Sequence, residues 1–130
     1  MTRLFLIIFL FLSSSPVYAE WVELYKLPED RMTAYVDPET IRRKGNLVKM
    51  WQLYDYKTIQ TVESSSYLSS NGQIEFDCAE ERTRVLAFTH FSGNMGSGKV
   101  VYSYSDEDKW VPIAPRSGYQ RMWEVACEKK

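Results

Sequence analysis

The residues best equipped for chemistry in this 130-residue sequence lie mostly in its second half. Gly93-Asn94-Met95-Gly96-Ser97-Gly98-Lys99 has the GxxxxGK spacing of a loop that cradles phosphate with backbone amides and a lysine. That chemistry also requires Ser or Thr next, for magnesium, and a helix whose first amides face the anion. Val100 follows instead, and Val100, Tyr102 and Tyr104 alternate with Lys99, Val101 and Ser103 at strand period. The expectation is a flexible Gly-rich hairpin between two strands. His90, the single histidine, carries the side chain of a general base or metal ligand. A metal site takes three or four ligands, and catalysis needs a positioned nucleophile, so a plain strand or surface histidine is expected. Asp106-Glu107-Asp108 lacks the Gly and distal Glu of an EF-hand loop and reads as a solvated turn. No catalytic residue, metal or cofactor is expected, and the protein is read as not an enzyme. A small-ligand binder or minor hydrolase would need an internal pocket joining His90 to Arg82, Arg84 or a carboxylate.

The sequence has two thiols. Ile74, Phe76 and Cys78 alternate with Gln73, Glu75 and Asp77, which puts Cys78 on the apolar face of a strand. Tyr119, Met122, Trp123, Ala126 and Cys127 fall at i, i+3, i+4, i+7 and i+8, one stripe of a C-terminal helix. Both thiols point into the core, so a Cys78–Cys127 disulfide that pins the helix to the sheet is expected. The competing redox-active pair does not fit, because the spacing is unlike the CxxC that tunes a reactive thiol.

Binding is the chemistry that remains. Arg42-Arg43-Lys44 is a basic cluster able to meet an acidic patch or polysaccharide, although three such charges before a turn also suit a solvated face. Arg82 and Arg84 share one strand face and suit a structural ion-pair cluster with nearby carboxylates. The chain is 15% aromatic, with nine Tyr, six Phe and four Trp. Trp51, Trp110, Trp123, Tyr54 and Tyr56 read mostly as core. Yet the strand from Leu47 to Thr58 is apolar on both faces, with Leu47, Trp51 and Leu53 on one and Val48, Met50, Tyr54 and Tyr56 on the other. One helix covers only part of one face, which leaves aromatic surface for a protein partner or a second copy of the chain. The binding-surface residues expected are Arg42, Arg43, Lys44, Tyr54 and Tyr56.

The elements that must position these groups are short strands with turn chemistry between them. They run at Trp21–Leu27, Met32–Asp37, Leu47–Thr58, Gln73–Cys78, Arg82–Phe91 and Lys99–Tyr104. Asp37 to Arg43 suits one helical turn with Asp37 as N-cap and Pro38 at N1. Ser64–Ser70 reads as a loop or weak strand, and Asn71-Gly72 as a tight turn. Pro112 and Pro115 end the strand region before the helix. Strands followed by one helix give an α+β fold, a small antiparallel sheet of about six strands with a C-terminal helix packed on it.

Arg3, the apolar run Leu4–Leu12 and the small-residue site ending at Ala19 have the form of a signal peptide over residues 1–19. A single domain follows over residues 20–130. Nine apolar residues rise about 14 Å as a helix, too short for a bilayer core of about 30 Å, so no transmembrane segment is expected. Without Arg3 the formal charge moves from −1 to −2, and that balance excludes a nucleic-acid binder. Export also places both cysteines in an oxidising compartment.

Taken in order, Tyr35-Val36-Asp37-Pro38, Thr40-Ile41-Arg42-Arg43, Gly45-Asn46-Leu47-Val48, Trp51, Asp55-Tyr56-Lys57, Asp77-Cys78, Glu81-Arg82, Ser92 to Ser103, Trp110-Val111-Pro112 and Trp123 to Cys127 resemble the surface-adhesin protein E family of gram-negative bacteria. The resemblance spans nearly the whole expected domain. It implies an antiparallel sheet with a disulfide-tied C-terminal helix, and an exported, non-enzymatic protein that binds a host surface or extracellular-matrix protein. The adhesin that names the family is a lipoprotein, and this sequence has no Cys at the expected cleavage point. The competing expectation is therefore a soluble periplasmic envelope or structural accessory protein with the same fold.

Overall fold

The computed structural model describes residues 20–29 and 31–128. The expected signal peptide over residues 1–19 lies outside the described residues. The chain forms β1 (Val22–Leu27), β2 (Met32–Lys44), β3 (Leu47–Val62), β4 (Ser65–Asp77), β5 (Arg82–Phe91), a 3-10 turn at Asn94–Gly96, β6 (Val100–Tyr104), β7 (Val111–Pro112) and α1 (Gly118–Glu128). The first six strands make an antiparallel meander in the order β1-β2-β3-β4-β5-β6. β7 pairs with the start of β5 through Arg82 and Thr83, while β6 pairs with its second half. The expected α+β architecture is what forms.

Local sequence explains the long central ladder. Lys44 pairs with Leu47 across the two-residue turn Gly45-Asn46, and Gly45 supplies the left-handed φ of 61° that such a turn needs. Val62 pairs with Ser65 across Glu63-Ser64. Asp77 then caps the four-residue turn into β5, accepting from the amides of Ala79 (3.0 Å) and Glu80 (3.3 Å).

Two local expectations are corrected. Asp37–Arg43 is not a helical turn but an irregularity inside β2, whose pairing with β3 skips from Asp37 to Arg42. Pro38 is tolerated there because a bulge asks no ladder hydrogen bond of it. Asp37 Oδ1 accepts from the Glu39 amide, and Thr40 Oγ1 donates to the Asp37 carbonyl at 2.6 Å and accepts from the Trp51 amide at 3.0 Å. Asn71-Gly72 is not a turn; it lies mid-strand in β4, opposite Leu53 and Gln52. Ser65–Ser70 belongs to the same strand, so the strand half of the loop-or-strand reading stands. Burial between two long partners overrides the weak strand propensity of this Ser-rich run.

One face of the sheet carries the core. Ala34, Val36, Val48, Met50, Ile74 and Phe76 are buried against Met122 and Ala126 of α1. The helix begins at a Ser117 cap, whose Oγ accepts from the Gln120 amide at 3.2 Å. Gln120 Oε1 reciprocates by accepting from the Arg116 amide. Gly118 has no side chain because Tyr25 occupies the space a Cβ would need. At the other end Cys127 is bonded to Cys78, with their Cα atoms 5.6 Å apart. Trp123 Nε1 donates to the Asp77 carbonyl at 3.0 Å, and Arg43 donates to the Cys127 carbonyl.

Two predictions follow from this clamp. Replacing Cys78 and Cys127 together by Ser lowers the unfolding free energy by about 4 kcal/mol, the loop-closure entropy of a bridge with a sequence separation of 49, as measured by urea titration. Gly118→Ala displaces Tyr25 and costs about 1–3 kcal/mol in the same titration.

Candidate functional site

The helix packs on β1, β2, β3 and β4. The same sheet face continues across β5 and β6, where Phe88 stands opposite Tyr104 and His90 opposite Tyr102. These side chains form a run of ring contacts. Tyr67 stacks on His90 with centroids 3.9 Å apart and planes 22° apart, and Tyr56 meets Tyr67 edge-on at 5.9 Å. Phe88 lies 5.0 Å from His90 and 5.3 Å from Tyr104.

Between this run and the helix is a groove of about 200 Å³. Its floor is low because β4 presents Gly72 and Ser70 where neighbouring strands present large groups. The rows are Gln52, Gly72 and Phe88, then Tyr54, Ser70 and His90. A Cβ on Gly72 would sit 3.0 Å from the Ala87 carbonyl oxygen and 3.1 Å from Gln52 Nε2. Tyr54, Tyr56 and Tyr119 form the wall on the helix side. A second cleft of about 160 Å³ adjoins His90, between Phe88 and Tyr102 and the β3–β4 hairpin tip at Val62, Glu63 and Ser65.

Burial governs the titrating groups here. His90 is 8% exposed, and desolvation pushes its imidazole below the ordinary value of 6.5, toward the neutral form. Tyr54 is pushed far above the usual tyrosine range, first by burial, then by its neighbours Tyr119 and Tyr25, with which it shares hydroxyl hydrogen bonds. Tyr54 is thus a joint between β1, β3 and α1, and Tyr119 and Tyr25 are raised by burial as well.

The residues expected as a binding surface do not form one patch. Arg42 pairs with Lys49 and Tyr54 with Ala34, five residues apart on β3 and so about 17 Å along the strand. Arg42, Arg43 and Lys44 line a separate cleft of about 340 Å³ with Leu47, Lys49 and Glu75. The two guanidinium groups there brace backbone. Arg42 donates to the Glu39 and Ile41 carbonyls at 3.0 and 2.9 Å, and Arg43 to the Gly45 carbonyl at 3.1 Å. Tyr56 lines the aromatic groove. Tyr67 and Phe88 of the groove, and Tyr102 and Tyr104 of the ring run beside it, are residues that sequence reasoning did not single out. The alternation of Tyr102 and Tyr104 was visible, but not the register that sets them beside Phe88 and His90.

The remaining chemical candidates are structural. His90 is a strand residue but buried rather than on the surface, because Tyr67 folds over it. Arg82 and Arg84 pair with Asp77 and Glu75 on the opposite sheet face from His90, so among the described residues the sheet separates them from it. A register irregularity beside Ile74 puts Val85 rather than Arg84 on the core side. Arg82 pairs with Asp77 at 3.0 Å and Arg84 with Glu75 at 2.7 Å and Glu107 at 3.4 Å. Both guanidinium groups lie over Trp110, 4.8 and 4.4 Å from the ring centroid. Burial raises the Asp77 carboxyl, but the Arg82 hydrogen bond and two turn amides outweigh it and hold it below the ordinary value.

The Gly-rich segment is the loop of the β5–β6 hairpin, as expected, but it is pinned by hydrogen bonds rather than free. It folds over the far sheet face and is held there by Asp55 and the fully buried Ser69. Asp55 Oδ1 accepts from the Met95 amide at 2.7 Å and from Asn94 Nδ2 at 3.0 Å. Ser69 Oγ accepts from the Gly96 amide at 2.8 Å and donates to the Gly93 carbonyl at 2.6 Å. Five of the amides a phosphate would use, those of Gly93, Met95, Gly96, Ser97 and Lys99, are spent inside the protein.

The family model for surface-adhesin protein E matches residues 21–128. No curated protein sequence matches the chain significantly. Among solved structures, crystal form II of Haemophilus influenzae protein E is similar at 13% identity and a TM-score of 0.66, over 87% of this chain and 91% of that one. Its selenomethionine form is similar at 12% identity and a TM-score of 0.64, over 88% and 90%. Protein E from non-typeable Haemophilus influenzae gives 12% and 0.57, over 88% and 79%. At these identities the structures establish a shared fold.

The depressed pKa of His90 gives a signed prediction. The unfolded chain binds the proton more readily than the folded one, so His90 removes stability as pH falls below 6.5, and has no effect well above it. The melting temperature of the wild type therefore falls more steeply between about pH 7 and pH 5 than that of His90→Phe, which retains a ring against Tyr67 but does not titrate.

Proposed function

This chain belongs to the surface-adhesin protein E family, and from that premise we propose that it is an exported, non-enzymatic binding protein that engages a host surface or matrix protein. The observation that carries this reading is the aromatic sheet face that α1 leaves uncovered. Tyr102 is 45% exposed at its edge, and Val100 beside it 59%. Aromatic side chains with a wet edge supply large contact area at small entropic cost, which is why Tyr is enriched at binding hot spots. The basic end at Arg42, Arg43 and Lys44 complements this face by steering an acidic partner from a distance.

The test is binding of the purified protein to a panel of immobilised extracellular-matrix proteins. Tyr102→Ala removes an exposed ring without opening the core, and it lowers affinity for a retained partner by about 30-fold, roughly 2 kcal/mol. Lys44→Ala slows association and flattens the salt dependence but leaves dissociation unchanged. If Lys44→Ala abolishes binding and Tyr102→Ala does not, the basic end is the site. A protein found only in the periplasm that binds no matrix protein is the accessory protein of the competing reading.

A further inference from the structure

The aromatic groove contains two buried polar atoms for which the fold supplies no partner. Gln52 is 4% and His90 8% exposed, both line the groove, and neither Gln52 Oε1 nor His90 Nδ1 has a hydrogen-bond partner among the described residues. Buried side-chain polar atoms are nearly always satisfied, so two exceptions in one cleft define what can fill it. An amide oxygen only accepts, and a neutral imidazole accepts at whichever nitrogen lacks the proton. A hydroxyl complements both, since it donates to either atom and also accepts if His90 Nδ1 carries the proton. An apolar occupant leaves both atoms, already closed to solvent, without a partner. A charged occupant would lose its hydration and find no counter-charge, because every residue lining the groove is uncharged.

The walls add a second requirement. Tyr54, Tyr56, Phe88 and Tyr119 present ring surface, which favours an occupant with apolar C–H faces as well as hydroxyls at its rim. The volume of about 200 Å³ is below the roughly 300–1,000 Å³ of drug-sized pockets and suits one ring. We infer that the groove is a subsite for a single neutral sugar residue, presented by a glycan on the protein partner. This rests on the reading that the uncovered aromatic face is the binding surface.

The test titrates the isotope-labelled full chain with the methyl glycosides of glucose, galactose, mannose and N-acetylglucosamine, and with N-acetylneuraminic acid as a charged control. At least one neutral glycoside shifts the Gln52 side-chain amide and the His90 imidazole saturably, and the charged sugar does not. Gln52→Leu fills the same space without the acceptor. It weakens that binding at least about tenfold, the worth of roughly one hydrogen bond, while melting no lower than the wild type. His90→Phe weakens it similarly. The inference is overturned if no neutral glycoside moves these signals, if the shifts survive Gln52→Leu, or if the charged sugar binds equally. Enzymatic deglycosylation of a retained matrix protein separates the two readings. Undiminished binding overturns the sugar subsite and leaves the protein partner standing, whereas glycoside binding without any matrix partner does the reverse.

Discussion

The structure turns on a mismatch between one short helix and one wide sheet. Six strands set about 4.8 Å apart span about 24 Å between the outer strand axes. An eleven-residue helix is about 16 Å long and about 10 Å across. It can cover the core over β1 to β4 or the face over β5 and β6, but not both. The Cys78–Cys127 bond, the Trp123 hydrogen bond to Asp77 and the fit of Tyr25 against Gly118 fix it on the first side. The second side is left to stacked rings. Everything proposed about binding follows from where the helix is held.

The two faces are finished by different chemistry. On the far face, the Gly-rich loop folds back over Leu53 and satisfies its own amides on Asp55 and Ser69, while Arg82, Arg84 and Trp110 form a charged stack with Asp77 and Glu75. Its polar groups are largely matched within the protein. On the aromatic face, the hydroxyls of Tyr25, Tyr54 and Tyr119 satisfy one another next to the helix, but Gln52 Oε1 and His90 Nδ1 farther out have no hydrogen-bond partner among the described residues. The proposed binding surface is thus the side on which the fold leaves hydrogen bonds unmade.

Much of this was legible in the sequence, for definable reasons. The strict alternation through Cys78 and the helical stripe through Cys127 each place a thiol by periodicity, so the disulfide and the α+β fold were readable. So was the surplus of aromatic strand surface over what one helix can cover. The first half of β4 was only half legible. Ser65-Ser66-Tyr67-Leu68-Ser69-Ser70-Asn71-Gly72 has the composition of a loop, and only pairing with β3 and β5 makes it a strand. Leaving that run between loop and strand, and reading Asn71-Gly72 as a turn, hid the groove, whose low floor is Ser70 and Gly72. Asp37-Pro38 misled in the opposite way, since a helix-start signal and a bulge use the same Asx side-chain hydrogen bond. Tyr54 and Tyr56 were recognisable as aromatic strand residues, but which of them joins the helix depends on register.

The central claim is that the face beyond the helix is the working surface. It is tested most directly by oxidative footprinting of the protein alone and in complex with a matrix protein it retains. The account predicts protection of Tyr102, Tyr104 and Phe88 on complex formation, with Trp110 on the far face unchanged. Protection of Trp110 with Tyr102 and Tyr104 left fully reactive would contradict it and move the binding surface to the other side of the sheet.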